Sequence, residues 1–129
     1  MITGFSIDIY DCDLSFAIDT NEKELNQFFD QIGLPEEGRQ AYYDEFSKDP
    51  SMKIEALTCD FGTPNYLIVF NSDPSPKAVA HEIFHAAYRI LNPRGIEDEE
   101  AYAYLIGYIT ETFYQVKAEY DAERNDKNI

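Results

Sequence analysis

The only two histidines of this 129-residue chain stand four positions apart, His81 and His85, and Glu82 follows the first directly. On a helix of about 3.6 residues per turn this spacing stacks both imidazoles on one face. Neutral imidazoles on successive turns can both reach one Zn²⁺ at about 2.0–2.1 Å. Glu82 points off to the side of the pair, too far round to share the ligand shell. It is placed to hydrogen-bond a metal-bound water as a general base. The five residues His81-Glu82-Ile83-Phe84-His85 read HExxH, a spacing with this mechanical meaning only if the segment is helical.

At about 100° per residue, His81, His85, Arg89 and Glu82 gather into one arc that only Ala78 shares. Val79, Ala80, Ile83, Phe84, Ala87, Ile90 and Leu91 occupy the rest, so the helix is expected to bury most of its sides and keep a narrow polar stripe. The plain alternative is a solvated face of an amphipathic helix. In a chain with 25 acidic residues, Asp, Glu or Lys would ordinarily fill such a face. Two histidines placed at random fall four apart in only about 1.5 % of cases, which disfavours accident.

A catalytic zinc takes a third protein ligand and keeps an open position for water. No third histidine exists, and Tyr88 stands where the longer HExxHxxGxxH pattern needs glycine. The carboxylates of Glu97, Asp98, Glu99 and Glu100 follow a tight Asn92-Pro93-Arg94-Gly95 turn. Asp98 suits the N-cap of the next helix, because further inside it would fall on the apolar stripe of Leu105, Ile109 and Val116. Glu100 shares a face with Tyr104, Gly107, Tyr108 and Glu111 and is the favoured third ligand, with Glu99 second. Carboxylates at a helix start also meet the positive end of its dipole without any metal. A donor to a developing oxyanion is sought in Tyr104, Tyr108 or Arg89, with Tyr104 first.

These residues need a scaffold. Phe5 to Tyr10 and Leu14 to Ile18 alternate apolar and polar residues around Asp11-Cys12-Asp13, predicting an antiparallel hairpin. Asp19 or Thr20 is expected to cap a helix through Leu25, Phe28, Phe29 and Ile32, stopped by Gly33. A weaker helix around Ala41, Tyr42 and Phe46 ends at Asp49-Pro50. Ile54 to Phe61 and Asn65 to Phe70 predict a second hairpin, with the continuous apolar run Tyr66 to Phe70 marking an internal or covered strand. The turn cluster Ser72-Asp73-Pro74-Ser75-Pro76, with a capping serine and a proline suited to the first helical position, begins the HExxH helix, which runs over about 75–91. A long C-terminal helix over about 98–120 and a polar, fraying tail at 121–129 complete the chain.

The expected whole is one α+β domain over 1–129, with the first hairpin and helices in 1–53 and the second hairpin in 54–70. A small, mostly antiparallel sheet packs against the HExxH helix and the C-terminal helix. A composition of 44 % hydrophobic and 15 % aromatic residues argues against disorder. The net charge of −15 would repel nucleic acid and anionic lipid, and serves solubility before it serves as a dock for a basic protein. No segment has the apolar length to span a bilayer and no signal-peptide pattern opens the chain. Cys12 and Cys59 have no paired spacing, so a reducing, cytoplasmic setting with two free thiols is expected.

The stretch from His81 to about Ile109 resembles the gluzincin-type zinc peptidases, in which HExxH lies on one helix and a glutamate on a following helix completes the site. It looks most like the very small members, phage-type and ImmA-like, where that glutamate is followed by alanine and more helix, as in Glu100-Ala101-Tyr102-Ala103-Tyr104. The resemblance implies a zincin-like fold, zinc on His81, His85 and Glu100, and Glu82 activating water for hydrolysis of a peptide or protein substrate. It also implies an edge strand that aligns the extended substrate, from Asn65 to Phe70 or the hairpin before it. The pattern NExxSD of the longer members is absent. The competing expectation is a non-catalytic zincin-like module that binds a protein partner and uses metal for stability.

Overall fold

The computed structural model describes residues 1–46, 55–62 and 64–127, with the side chain of Phe46 left aside. The strands are β1 (Ile2–Ile7), β2 (Cys12–Ile18), β3 (Ala56–Asp60) and β4 (Asn65–Phe70). The helices are α1 (Glu22–Gln31), α2 (Glu36–Phe46), α3 (Pro76–Leu91) and α4 (Glu99–Lys127). Two short 3-10 turns, Asp8–Tyr10 and Asn92–Arg94, join β1 to β2 and α3 to α4. The α+β class and two antiparallel hairpins are as the sequence predicts, but the first strand runs Ile2–Ile7, Asp8–Tyr10 form the turn instead of its end, and Cys12 and Asp13 belong to β2. The stop at Asp49-Pro50 and the strand start at Ile54 lie outside the described residues.

The sheet order is β1-β2-β4-β3, and it is mixed. Both outer pairs are antiparallel, but the central pair β2–β4 is parallel, with Leu14 opposite Tyr66, Phe16 opposite Ile68 and Ile18 opposite Phe70. The sheet is thus mostly antiparallel, as expected, with a parallel pair at its centre. The reason lies in burial: β2 and β4 both carry apolar residues on both faces, so they occupy the centre, where helices cover each side.

Leu14, Phe16, Ile18, Tyr66, Ile68 and Phe70 face α3 and α4, whereas Ala17, Leu67 and Val69 face Leu25, Phe28 and Phe29 of α1 and Tyr42 of α2. β4 is therefore internal and cannot offer a free edge. β3 forms one sheet edge and β1 the other.

Two boundaries shift. Helix α1 is capped by Asn21, whose Oδ1 accepts from the Glu24 N–H at 2.8 Å, and not by Asp19 or Thr20. Asp19 instead holds a left-handed conformation (φ 50°) and accepts the Tyr120 hydroxyl at 3.0 Å. The second shift is at the C-terminus, where the chain expected to fray from 121 remains helical to Lys127. Asp121 accepts from Lys117 at 2.6 Å and from Arg124 at 3.2 Å, Arg124 reaches Asp73 before α3, and its guanidinium lies over the Tyr120 ring. These charge pairs sustain the last turns. Among the described residues no helix is long and apolar enough to cross a membrane.

Phe113 joins α4 to the sheet: it is buried, with ring centroids 5.6 Å from Phe16 and 4.4 Å from Phe70. Phe113→Ala should lower unfolding stability by about 3–5 kcal/mol in urea titration. Tyr114→Ala, at a half-exposed neighbour, should cost less than about 1 kcal/mol. Equal losses would contradict this packing.

Both thiols are unbonded. Burial, aided by the nearby Glu82 and Glu45 carboxylates, pushes the Cys59 thiol up to about 12. Because the folded value is raised, the stability gained by keeping this thiol neutral is complete below the ordinary thiol range near 8.5. It is lost as pH climbs towards 12. Alkylation of Cys59 at pH 8 should run about a thousandfold slower than that of an exposed cysteine and accelerate through pH 10. A rate that levels off by pH 9 would contradict the assignment.

Candidate metal centre

Local signals fix α3 before any site forms. The Ser75 hydroxyl oxygen accepts the Ala78 N–H at 3.1 Å, Pro76 occupies the first turn, and Glu55 receives both the Ser75 N–H and its hydroxyl. At the other end, the Arg94 guanidinium donates to the Ile90 carbonyl at 2.7 Å and to the Tyr10 carbonyl at 3.1 Å. A cation there complements the negative end of the helix dipole. Val79, Ile83, Ala86, Ala87, Ile90 and Leu91 are buried and set the rotation of the helix.

That rotation exposes both His81 and His85. Their Nε2 atoms lie 3.0 Å apart, with ring planes inclined at 73°. Among the described residues, His81, Glu82 and His85 form a group whose ligand atoms all lie within 4.8 Å of one another. The exposed part of α3 is wider than the narrow stripe expected from the sequence. Phe84 and Tyr88 are 51 % and 43 % exposed, and Ala80 is also open. The sheet and α4 cover only about half of the helix, which leaves an aromatic flank beside the histidines.

Glu82 is the hinge between α3 and the sheet edge. Its Oε2 accepts the Thr58 N–H at 2.8 Å and lies 2.6 Å from the Thr58 hydroxyl, which is also 2.9 Å from the Glu82 carbonyl. The pairing of β3 explains the backbone bond. Phe61 N–H and Asn71 N–H bond across the β3–β4 pair to Asn65 and Glu55, so the odd-numbered positions of β3 face β4. Ala56, Thr58 and Asp60 turn their main-chain groups outward, and Glu82 meets the middle one. Its Oε1 has no hydrogen-bond partner among the described residues.

Between this edge and α3 lies a groove of about 410 Å³ lined by Leu57, Thr58, Asp60, Glu82, His85 and Arg89. Thr58 is not legible from residue spacing. A threonine alternating in a strand signals only β-propensity, and its partner is 24 residues away.

The remaining sequence candidates fall elsewhere. Tyr104, 77 % exposed, and Tyr108 line a separate groove of about 440 Å³ with Ile7, Ile9 and Tyr10, at the opposite, β1 edge of the sheet. The wheel that grouped Tyr104 with Glu100 carried no information on which side of α4 meets α3. Of the three donors considered, Arg89 alone lines the groove beside His85.

Asp98 caps α4 as expected, its Oδ1 accepting the Glu100 N–H at 2.9 Å. Glu99 and Glu100 are exposed in the first turn of α4 and stand outside the 4.8 Å group. Glu99 shares a helical stripe with Tyr102, whose ring stacks on Phe84 of α3 with centroids 6.5 Å apart. Glu100 shares its stripe with Tyr104 and Glu111, on the side turned away from the buried Leu105 and Ile109.

The His81, Glu82 and His85 group could hold a metal ion, and its imidazole spacing is compatible with zinc. Tetrahedral coordination at about 2.0–2.1 Å per Zn–N bond separates two imidazole nitrogens by roughly 3.3 Å, close to the 3.0 Å found between His81 and His85. A scan against protein-family models, a search of curated proteins and a search of solved structures each return no match to this chain.

Proposed function

We propose that the chain is a zinc-dependent peptidase whose metal is held by His81 and His85 with a carboxylate from the Glu99-Glu100 pair. The resemblance favours Glu100 for that role and the stripe shared with Tyr102 favours Glu99. The observation that carries the reading is the facing pair of imidazole Nε2 atoms, 3.0 Å apart, beside a carboxylate and an open strand edge. When bound, zinc supplies Lewis-acid polarisation and lowers the pKa of a water ligand.

The chain's own residues do the rest. Thr58 occupies one oxygen of Glu82 and so holds the carboxylate in one orientation, leaving Oε1 to take a proton from water and return it to the leaving amine. The outward main-chain groups of Ala56 and Asp60, which have no backbone partner among the described residues, would pair with an extended peptide. Arg89 sits in the same groove as a cationic donor.

One observation favours a second reading. Because Glu82 is bonded twice to Thr58, it also staples α3 to β3, a role that needs no catalysis. In that case the centre is a non-catalytic metal module, and the protein cleaves no peptide although chelation lowers its melting temperature.

Glu82→Gln separates the two, since a glutamine oxygen still accepts from Thr58 but cannot take a proton. Zinc content should stay near one ion per chain in the variant, while turnover of a peptide library falls by about 10²–10⁴-fold. Hydrolysis undiminished in Glu82→Gln would refute the mechanism. His81→Ala should lose both zinc and turnover, and whichever of Glu99→Ala and Glu100→Ala loses zinc identifies the third ligand.

A further inference from the structure

Three of the four arginines are committed within the fold. Arg39 pairs with Asp30 at 2.7 Å and donates to the Leu34 carbonyl, Arg94 clamps Ile90 and Tyr10, and Arg124 bridges Asp73 and Asp121. Arg89 is the exception. It is exposed, lines the β3–α3 groove, and its guanidinium makes no hydrogen bond or ion pair among the described residues. Asp60 lines the same groove without pairing to it, its Oδ1 accepting the Gly62 N–H at 2.9 Å.

In a chain with 25 acidic and 10 basic residues, an exposed arginine whose guanidinium has neither a carboxylate nor a carbonyl partner among the described residues is unusual. Its surroundings sharpen the effect. The overall negative field disfavours an anionic ligand over most of the surface, so an isolated guanidinium in a groove becomes the one point there that attracts it. Guanidinium binds carboxylate through two parallel N–H···O bonds, which fixes position as well as adding affinity.

We infer that Arg89 is the carboxylate anchor of this groove: the groove takes an extended peptide carrying one carboxylate, from an Asp or Glu side chain or from a free C-terminus. The inference rests on the reading of the groove as a peptide site. One helical turn separates Arg89 from His85, about 6 Å along the axis, and an extended peptide advances about 3.3–3.4 Å per residue. The anchored carboxylate therefore lies about two residues from the peptide bond held beside His85. Its recognition is independent of metal, because the guanidinium belongs to the chain.

Calorimetry with three extended hexapeptides tests this on both metal-free and zinc-loaded protein. One is neutral with a Gln and a C-terminal amide, the second has Glu for that Gln, and the third is the neutral sequence with a free C-terminal carboxylate. At least one acidic peptide should bind about tenfold more tightly than the neutral one in both forms of the protein. Which one does so identifies the source of the carboxylate. Arg89→Gln should bring that peptide to parity with the neutral one, and Arg89→Lys should retain part of the preference.

Parity in the parent protein, absence of binding by all three peptides, or a preference that survives Arg89→Gln would each overturn the inference. A preference lost in Arg89→Gln, in a protein that neither holds zinc nor cleaves peptides, leaves Arg89 supported and the peptidase reading refuted. Hydrolysis without any carboxylate preference gives the reverse.

Discussion

The carboxylate of Glu82 receives both the main-chain N–H and the hydroxyl of Thr58, and this link sets the position of the helix that carries the histidines against the edge of the sheet. A strand edge presents unpaired donors that need partners, and a carboxylate at the rim of a helix needs donors. Each requirement is met by the other. The result is a groove with a defined wall on each side, β3 on one and the Glu82, His85 and Arg89 flank of α3 on the other. A carboxylate held on one oxygen has less freedom to lose when it acts, so the same contact serves packing and chemistry.

This link is supported by the two-sided burial of the sheet. β2 and β4 lie side by side at the centre because both are buried on both faces, and β3 is left at the edge. Phe113 of α4 packs against Phe16 and Phe70, and α4 in turn closes over one side of α3. With the sheet below and α4 beside it, α3 has only one direction left in which to present polar side chains. The histidines point there.

Much of this was legible in the sequence because the signals were local. The turn cluster from Ser72 to Pro76 announced the start of α3, Asp98 the start of α4, Gly33 the end of α1, and the i, i+4 histidines their shared face. What spacing could not supply was anything fixed by contacts distant along the chain. The parallel β2–β4 pairing, the Thr58–Glu82 bond and the rotation of α4 about its axis all depend on which surfaces meet. A helical wheel groups Tyr104 with Glu100 but does not say which neighbour that face sees, and the face is turned towards the β1 edge and solvent. The helical extension to Lys127 escaped for a similar reason, since its support includes Asp73, 51 residues before Arg124.

The most direct test of the account is anomalous diffraction at the zinc absorption edge from crystals of the untagged chain grown with stoichiometric zinc. One strong peak per chain is expected within about 2.0–2.1 Å of the Nε2 atoms of both His81 and His85, with Glu82 still bonded to Thr58. A peak elsewhere, or no peak at these histidines when zinc is in excess, would contradict it.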